Sequence, residues 1–107
     1  MDKSWYGVRC IFKLLDADVY EERVVLWHEE DVHAAIAAAE KDAEWYAETL
    51  NMQYLGLCQT YRLPDAELTS GSEAFSLMRE SKDDPPSYLN KHYNTGTELQ
   101  NKNPDAS

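Results

Sequence analysis

Residues 31–51 read DVHAAIAAAEKDAEWYAETLN, and their apolar positions recur at helical rather than strand spacing. At about 100° per residue, Val32, Ala35, Ile36, Ala39, Ala43, Tyr46, Ala47 and Leu50 share one face. Asp31 is the natural N-cap, because a short carboxylate accepts hydrogen bonds from the free amides of a first helical turn. With Glu29 and Glu30 it places three acids where the helix dipole is positive. Asn51 is a plausible C-cap. Much of the apolar stripe is alanine, and small side chains let a helix lie close against a neighbour. The spacing therefore predicts a long helix packed across one face of a sheet.

The segments on either side supply that sheet. Between Trp5 and Leu15 the residues Tyr6, Val8, Cys10, Phe12 and Leu14 alternate with Gly7, Arg9 and Lys13, a period of two that gives a strand with one buried face. Asp16, Ala17 and Asp18 form a turn. A second strand runs from Val19 to about His28, with Val24 and Leu26 on one side and Val25 and Trp27 on the other. Such a run suits a central strand covered on both faces. The short turn makes these two strands an antiparallel hairpin, with Ile11, Val25 and Trp27 expected to point away from the helix. Met52 to Leu63 is a third strand, and Gly56 in its middle marks either a bulge or a close backbone approach.

Residues 66–73 are polar and contain Ser70-Gly71-Ser72, a loop. In Ala74 to Glu80, Phe75 and Leu77 alternate with Ser76, which predicts an edge strand. Pro85 and Pro86 can start a short helix, since a first turn needs no amide donors, and Tyr88, Leu89, His92 and Tyr93 would dock it. The expected fold is α+β in a β-β-α-β-β order. It has an antiparallel sheet of three to four strands, one long helix on one face and a short C-terminal helix. A split β-α-β or ferredoxin-like arrangement is the closest familiar shape. Residues 1–94 form one domain, and residues 95–107 a polar, mobile tail.

Composition narrows the function classes. The chain has 107 residues, of which 43% are hydrophobic and 28% charged, a globular balance. Twenty acids against ten bases give a net charge of −10 at pH 7, which repels phosphate backbones and argues against nucleic acid as a partner. Neither a signal-peptide pattern nor an apolar run of about 18 residues is found, so membrane insertion and export are not expected and the location is read as cytoplasmic. Cys10 and Cys58 each lie in a strand pattern outside any C-x-x-C pair. They read as buried free thiols, with a disulfide as the alternative.

Several segments carry a family likeness. Trp5-Tyr6 opens the first strand and Tyr20-Glu21-Glu22 the second, and the alanine-rich acidic helix follows. Then come Gly71-Ser72-Glu73-Ala74-Phe75-Ser76 and Thr95-Gly96-Thr97-Glu98. In this order the chain resembles a family of small bacterial proteins catalogued as domain of unknown function 4288, over nearly its whole length. The G-x-E-x-F-S and T-G-x-E segments are the most distinctive. The resemblance implies a cytoplasmic bacterial protein of about this size, and it brings no catalytic residue with it.

No catalytic, cofactor or metal site is expected from the residues themselves. The run His28-Glu29-Glu30-Asp31-Val32-His33 is the densest titratable cluster. It lacks the H-E-x-x-H spacing of a zinc helix and reads as capping acids with two surface histidines. Ser76 and Cys58 are possible nucleophiles, but nothing in the spacing brings His92 to either as a base. With twenty acids, chance carboxylate pairs carry no weight, and phosphate-binding glycine loops are absent.

The informative residues lie on the back of the long helix. Trp45 falls more than about 90° from the buried stripe, beside Ala38, Lys41, Glu44 and Glu48. An exposed Trp on a small-residue patch rimmed by carboxylates has the composition of an interface hot spot. Tyr88 and Tyr93 folding back over it is the alternative. Two functional readings follow. One is a protein-binding or regulatory module whose acidic helix face meets a partner with a basic surface. The other is a small-molecule-binding domain or small enzyme, a homodimer with its pocket between the open sheet face and the dimer mate, lined by Trp27, His28, Tyr61 and Arg62.

Overall fold

The computed structural model describes residues 2–93. Its elements are β1 (Ser4–Leu14), β2 (Tyr20–Glu29), α1 (Val32–Thr49), β3 (Met52–Arg62) and α2 (Pro85–His92). The chain falls into two compact units, Met1–Ser76 and Leu77–Ser107. The fold is α+β. In the first unit the strands form one sheet in the order β2-β1-β3, and both outer strands run antiparallel to β1. β2 and β3 are therefore parallel to each other with β1 between them, and α1 carries the chain from one edge to the other.

Alternation in β1 decides which face α1 covers. Tyr6, Val8, Cys10 and Phe12 are buried, and with Ala35, Ala39, Ala43 and Ala47 of α1 they make the core. Phe12 and Val8 are fully buried, each worth about 1.5–3 kcal/mol of transfer free energy. The four alanines recur every fourth residue, so the contacting stripe of α1 is nearly flat and its backbone can approach the strands. Val32 and Leu50, at the two ends of the expected stripe, are exposed. Asp31 caps the helix by accepting from the Ala34 amide at 2.8 Å. The other end differs from expectation: Leu50 is the C-cap, and Asn51 follows it with a positive φ of 57°. A left-handed residue just past the cap is a common helix ending, and asparagine tolerates it better than most.

β2 corrects the expected strand faces. In the register Tyr6 lies opposite Trp27 and Val8 opposite Val25, so Val25 and Trp27 are on the helix side, and Trp27 packs against the core. With apolar residues on both parities β2 offers no internal phase, and its pairing with β1 fixes which set is buried. β1, not β2, is the central strand.

β3 carries the bulge expected at Gly56. From Cys10 to Phe12 β1 advances two residues, while β3 runs four from Tyr54 to Cys58. Gly56 has φ +79° with open space around it, so it supplies a left-handed turn rather than a close approach.

The close approach occurs at Gly7. A Cβ there would collide with the carbonyl oxygen of Ala74, and Phe75 lies beside it. Residues 74–80 are not a strand, which corrects the expected fourth strand and the β-β-α-β-β order. The segment instead lays Ala74 and Phe75 on the sheet face opposite α1. Phe75 packs against Tyr61, with ring centroids 5.9 Å apart, and its ring lies 5.0 Å from the Arg9 guanidinium. The Tyr61 hydroxyl donates to Glu73. Gly71, at φ +91°, turns the chain into this segment. The G-x-E-x-F-S residues thus act as a strap over the sheet.

In the second unit Asp84 caps α2 by accepting from the Ser87 amide at 2.9 Å, with Pro85 and Pro86 in the first turn. Tyr88 packs against His92 at 4.5 Å. The Thr95–Glu98 segment and the expected tail at 95–107 lie outside the described residues.

Candidate partner-binding face

The outer face of α1 presents the residues that helical spacing grouped together. Trp45 is 62% exposed. Lys41 is one turn before it, Ala38 two turns before it, and Glu44 and Glu48 lie alongside. Lys41, Glu44 and Glu48 are exposed and Ala38 is half-buried. A large aromatic ring therefore stands exposed among Lys41 and two carboxylates.

The electrostatics of this face run against helix stability. The last turn of α1 has no basic residue and contains Glu48. The carbonyl end of a helix carries partial negative charge, so an acid there is unfavourable. Glu44 and Glu48 are also one turn apart, and like charges at that spacing repel. Among the described residues neither has a cationic partner. A local rule broken without compensation among the described residues is the pattern found at functional surfaces.

The inner flank of α1 contrasts with this arrangement, because there Arg23, Asp42, Tyr46 and Glu21 are matched to one another. Arg23 donates to Asp42 at 2.8 Å, and its guanidinium lies 3.9 Å from the Tyr46 ring. The Tyr46 hydroxyl donates to Glu21 at 2.7 Å, which holds its proton and pushes its pKa up. Tyr46 also meets Phe12 edge-on at 5.1 Å. Sequence reasoning did not find this clasp. Local spacing does not contain it: the β1–β2 register sets Glu21 opposite Phe12 and Arg23 opposite Cys10, and so puts both on the helix side.

The four residues expected to line a pocket do not come together. Trp27 and Arg62 flank Tyr6 on the helix side of the sheet. His28 lies on the opposite side, stacked on Trp5 at 4.5 Å with the rings 11° apart, and Tyr61 is on that side too, engaged by Phe75 and Glu73. Arg62 instead lines a cleft of about 300 Å³ with Lys3, Ser4 and residues 63–66. In the His28–His33 run, Asp31 caps the helix, His28 stacks on Trp5 and His33 is exposed. Among the described residues no group of three or more His, Cys, Asp or Glu is gathered closely enough to hold a metal.

Cys10 and Cys58 are free thiols directly opposite each other on β1 and β3. Burial pushes both thiols up, and the Glu40 carboxylate adds to this, while the neighbouring Tyr54 hydroxyl opposes it. Tyr54 itself is pushed well up, chiefly by burial. Among the described residues no helix is long and apolar enough to cross a membrane. Compared with protein-family models, curated proteins and solved structures, the chain matches none.

Proposed function

We propose that this protein is a protein-binding or regulatory module whose partner presents a basic surface to the outer face of α1. The observation that carries the reading is Trp45, 62% exposed beside two carboxylates that the helix itself disfavours. Burying such a ring in a partner removes a large apolar area from water, and indole rings dominate measured interface energies. Among the described residues neither Glu44 nor Glu48 has a cation within ion-pair distance, and a partner lysine or arginine would supply one. A protein with net charge −10 also steers a basic partner at long range, so association should slow as salt rises.

The test is affinity capture with four immobilised proteins: the parent, Trp45→Ala, Glu44→Lys and, as a charge-matched control, Glu67→Lys in the loop after β3. A partner retained by the parent and the control but lost with both helix variants assigns the face. If all four capture the same proteins, the reading is wrong.

A further inference from the structure

We infer that Cys10 and Cys58 form a redox modification site, two thiols that close to a disulfide across β1 and β3. The register places the two residues directly opposite each other. Opposed residues in an antiparallel ladder alternate between hydrogen-bonded and non-hydrogen-bonded pairs, and two backbone bonds fix the phase. The Leu63 amide donates to the Trp5 carbonyl at 2.8 Å, so the odd residues of β1 bond toward β3. The Leu14 amide donates to the Val19 carbonyl at 2.9 Å, so the even residues bond toward β2. Cys10 is even, and Cys10–Cys58 is therefore a non-hydrogen-bonded pair.

That phase matters chemically. In such pairs the Cα atoms approach to about 4.5 Å and the side chains lie closest, inside the Cα separation of about 4.4–6.8 Å that a disulfide spans. Both side chains lie on the helix side of the sheet, and the β3 bulge begins directly beside Cys58. The extra residues there give β3 local freedom to bring its Cβ toward Cys10.

Access orders the two steps. Cys58 is half-buried and Cys10 buried. With a small disulfide RSSR as oxidant, the Cys58 thiolate attacks one sulfur, forming a Cys58–SR mixed disulfide and releasing one thiol. Cys10 then attacks the Cys58 sulfur, forming the Cys10–Cys58 bond and releasing the second. The protein loses two electrons and two protons, and RSSR gains both to become two RSH. The groups around the pair are Tyr54 on β3, Glu40 on α1 and Arg23 on β2. Burial keeps the thiolate fraction small at neutral pH, so closure quickens as pH rises.

Oxidised glutathione added to the folded, reduced protein tests this, with acid quenching, alkylation, intact mass and peptide mapping. The expected product is a monomer lighter by two hydrogen atoms, with the peptides containing Cys10 and Cys58 linked and the linkage reversed by dithiothreitol. Cys10→Ala should accumulate a Cys58–glutathione adduct that the parent does not. Stable glutathione adducts on the parent, or two thiols that stay free under oxidant excess, would overturn the inference. The parent result decides even if the variant fails to fold.

Discussion

Arg23 on β2 donates to Asp42 on α1 at 2.8 Å, and the same guanidinium covers the Tyr46 ring at 3.9 Å. One cation thus ties the helix to an edge strand by charge and by aromatic contact. The side chains are 28% and 23% exposed, too sheltered for a solvent-screened surface pair and too open for a fully desolvated one. Asp42→Ala is expected to destabilise the first unit by about 1–2 kcal/mol, between the surface and buried limits. Arg23→Met with Asp42→Ala should cost less than the two single changes added together. Urea unfolding of the four proteins of this cycle measures both quantities.

Gly7 is set by space rather than by its own torsions. Because a Cβ at this position meets the Ala74 carbonyl, a backbone oxygen that cannot rotate away, the strap must lift. Gly7→Ala is expected to cost about 1–3 kcal/mol, the range for overpacking a close contact. Limited proteolysis should then cut within residues 66–76 faster than in the parent. Equal cleavage rates would mean that the strap does not rest on Gly7.

The Asp84 cap gives α2 a definite pH response. Its carboxyl lies below the ordinary value of 3.8 because the Ser87 hydroxyl and amide both donate to the charged form. A folded pKa below the unfolded one means that the capping contribution is complete above about 3.8 and is lost as pH falls through the lower folded value. The α2 amide resonances, Ser87 foremost, should therefore shift toward unfolded positions only at strongly acid pH. In Asp84→Asn, which caps without a charge, that acid transition should disappear.

The helix and the phase of β1 were legible because each rests on a single periodicity: about 100° per residue around Ala35, Ala39, Ala43 and Ala47, and two residues around Tyr6, Val8, Cys10 and Phe12. β2 was not legible in the same way. Val24, Val25, Leu26 and Trp27 fill both parities, so only pairing with β1 shows that Trp27 is a core residue. Phe75 and Leu77 mimic strand alternation, yet what holds Phe75 is its contact with Tyr61 and Arg9, an effect of tertiary packing that local spacing does not contain. Of the candidate site, the Trp45 face was readable because residues on one helix surface are fixed by sequence separation. The Trp27, His28, Tyr61 and Arg62 grouping depended on strand register, and it failed there.

Glu48 separates the needs of the fold from those of a partner. It sits in the last turn of α1, where a cation is favoured, and one turn after Glu44. Glu48→Lys replaces an acid with a base at the negative end of the helix and turns a repulsive pair into a Glu-to-Lys pair of the favourable orientation. Together these changes should stabilise the first unit by about 0.5–1 kcal/mol, read as a higher urea midpoint at unchanged slope. Partner affinity should move the other way, falling on substitution, because the basic surface then meets a like charge. A residue kept only for folding would not show opposite signs in the two measurements. A rise in stability with unchanged capture would assign Glu48 to the solvated surface and leave Trp45 and Glu44 to carry the interaction.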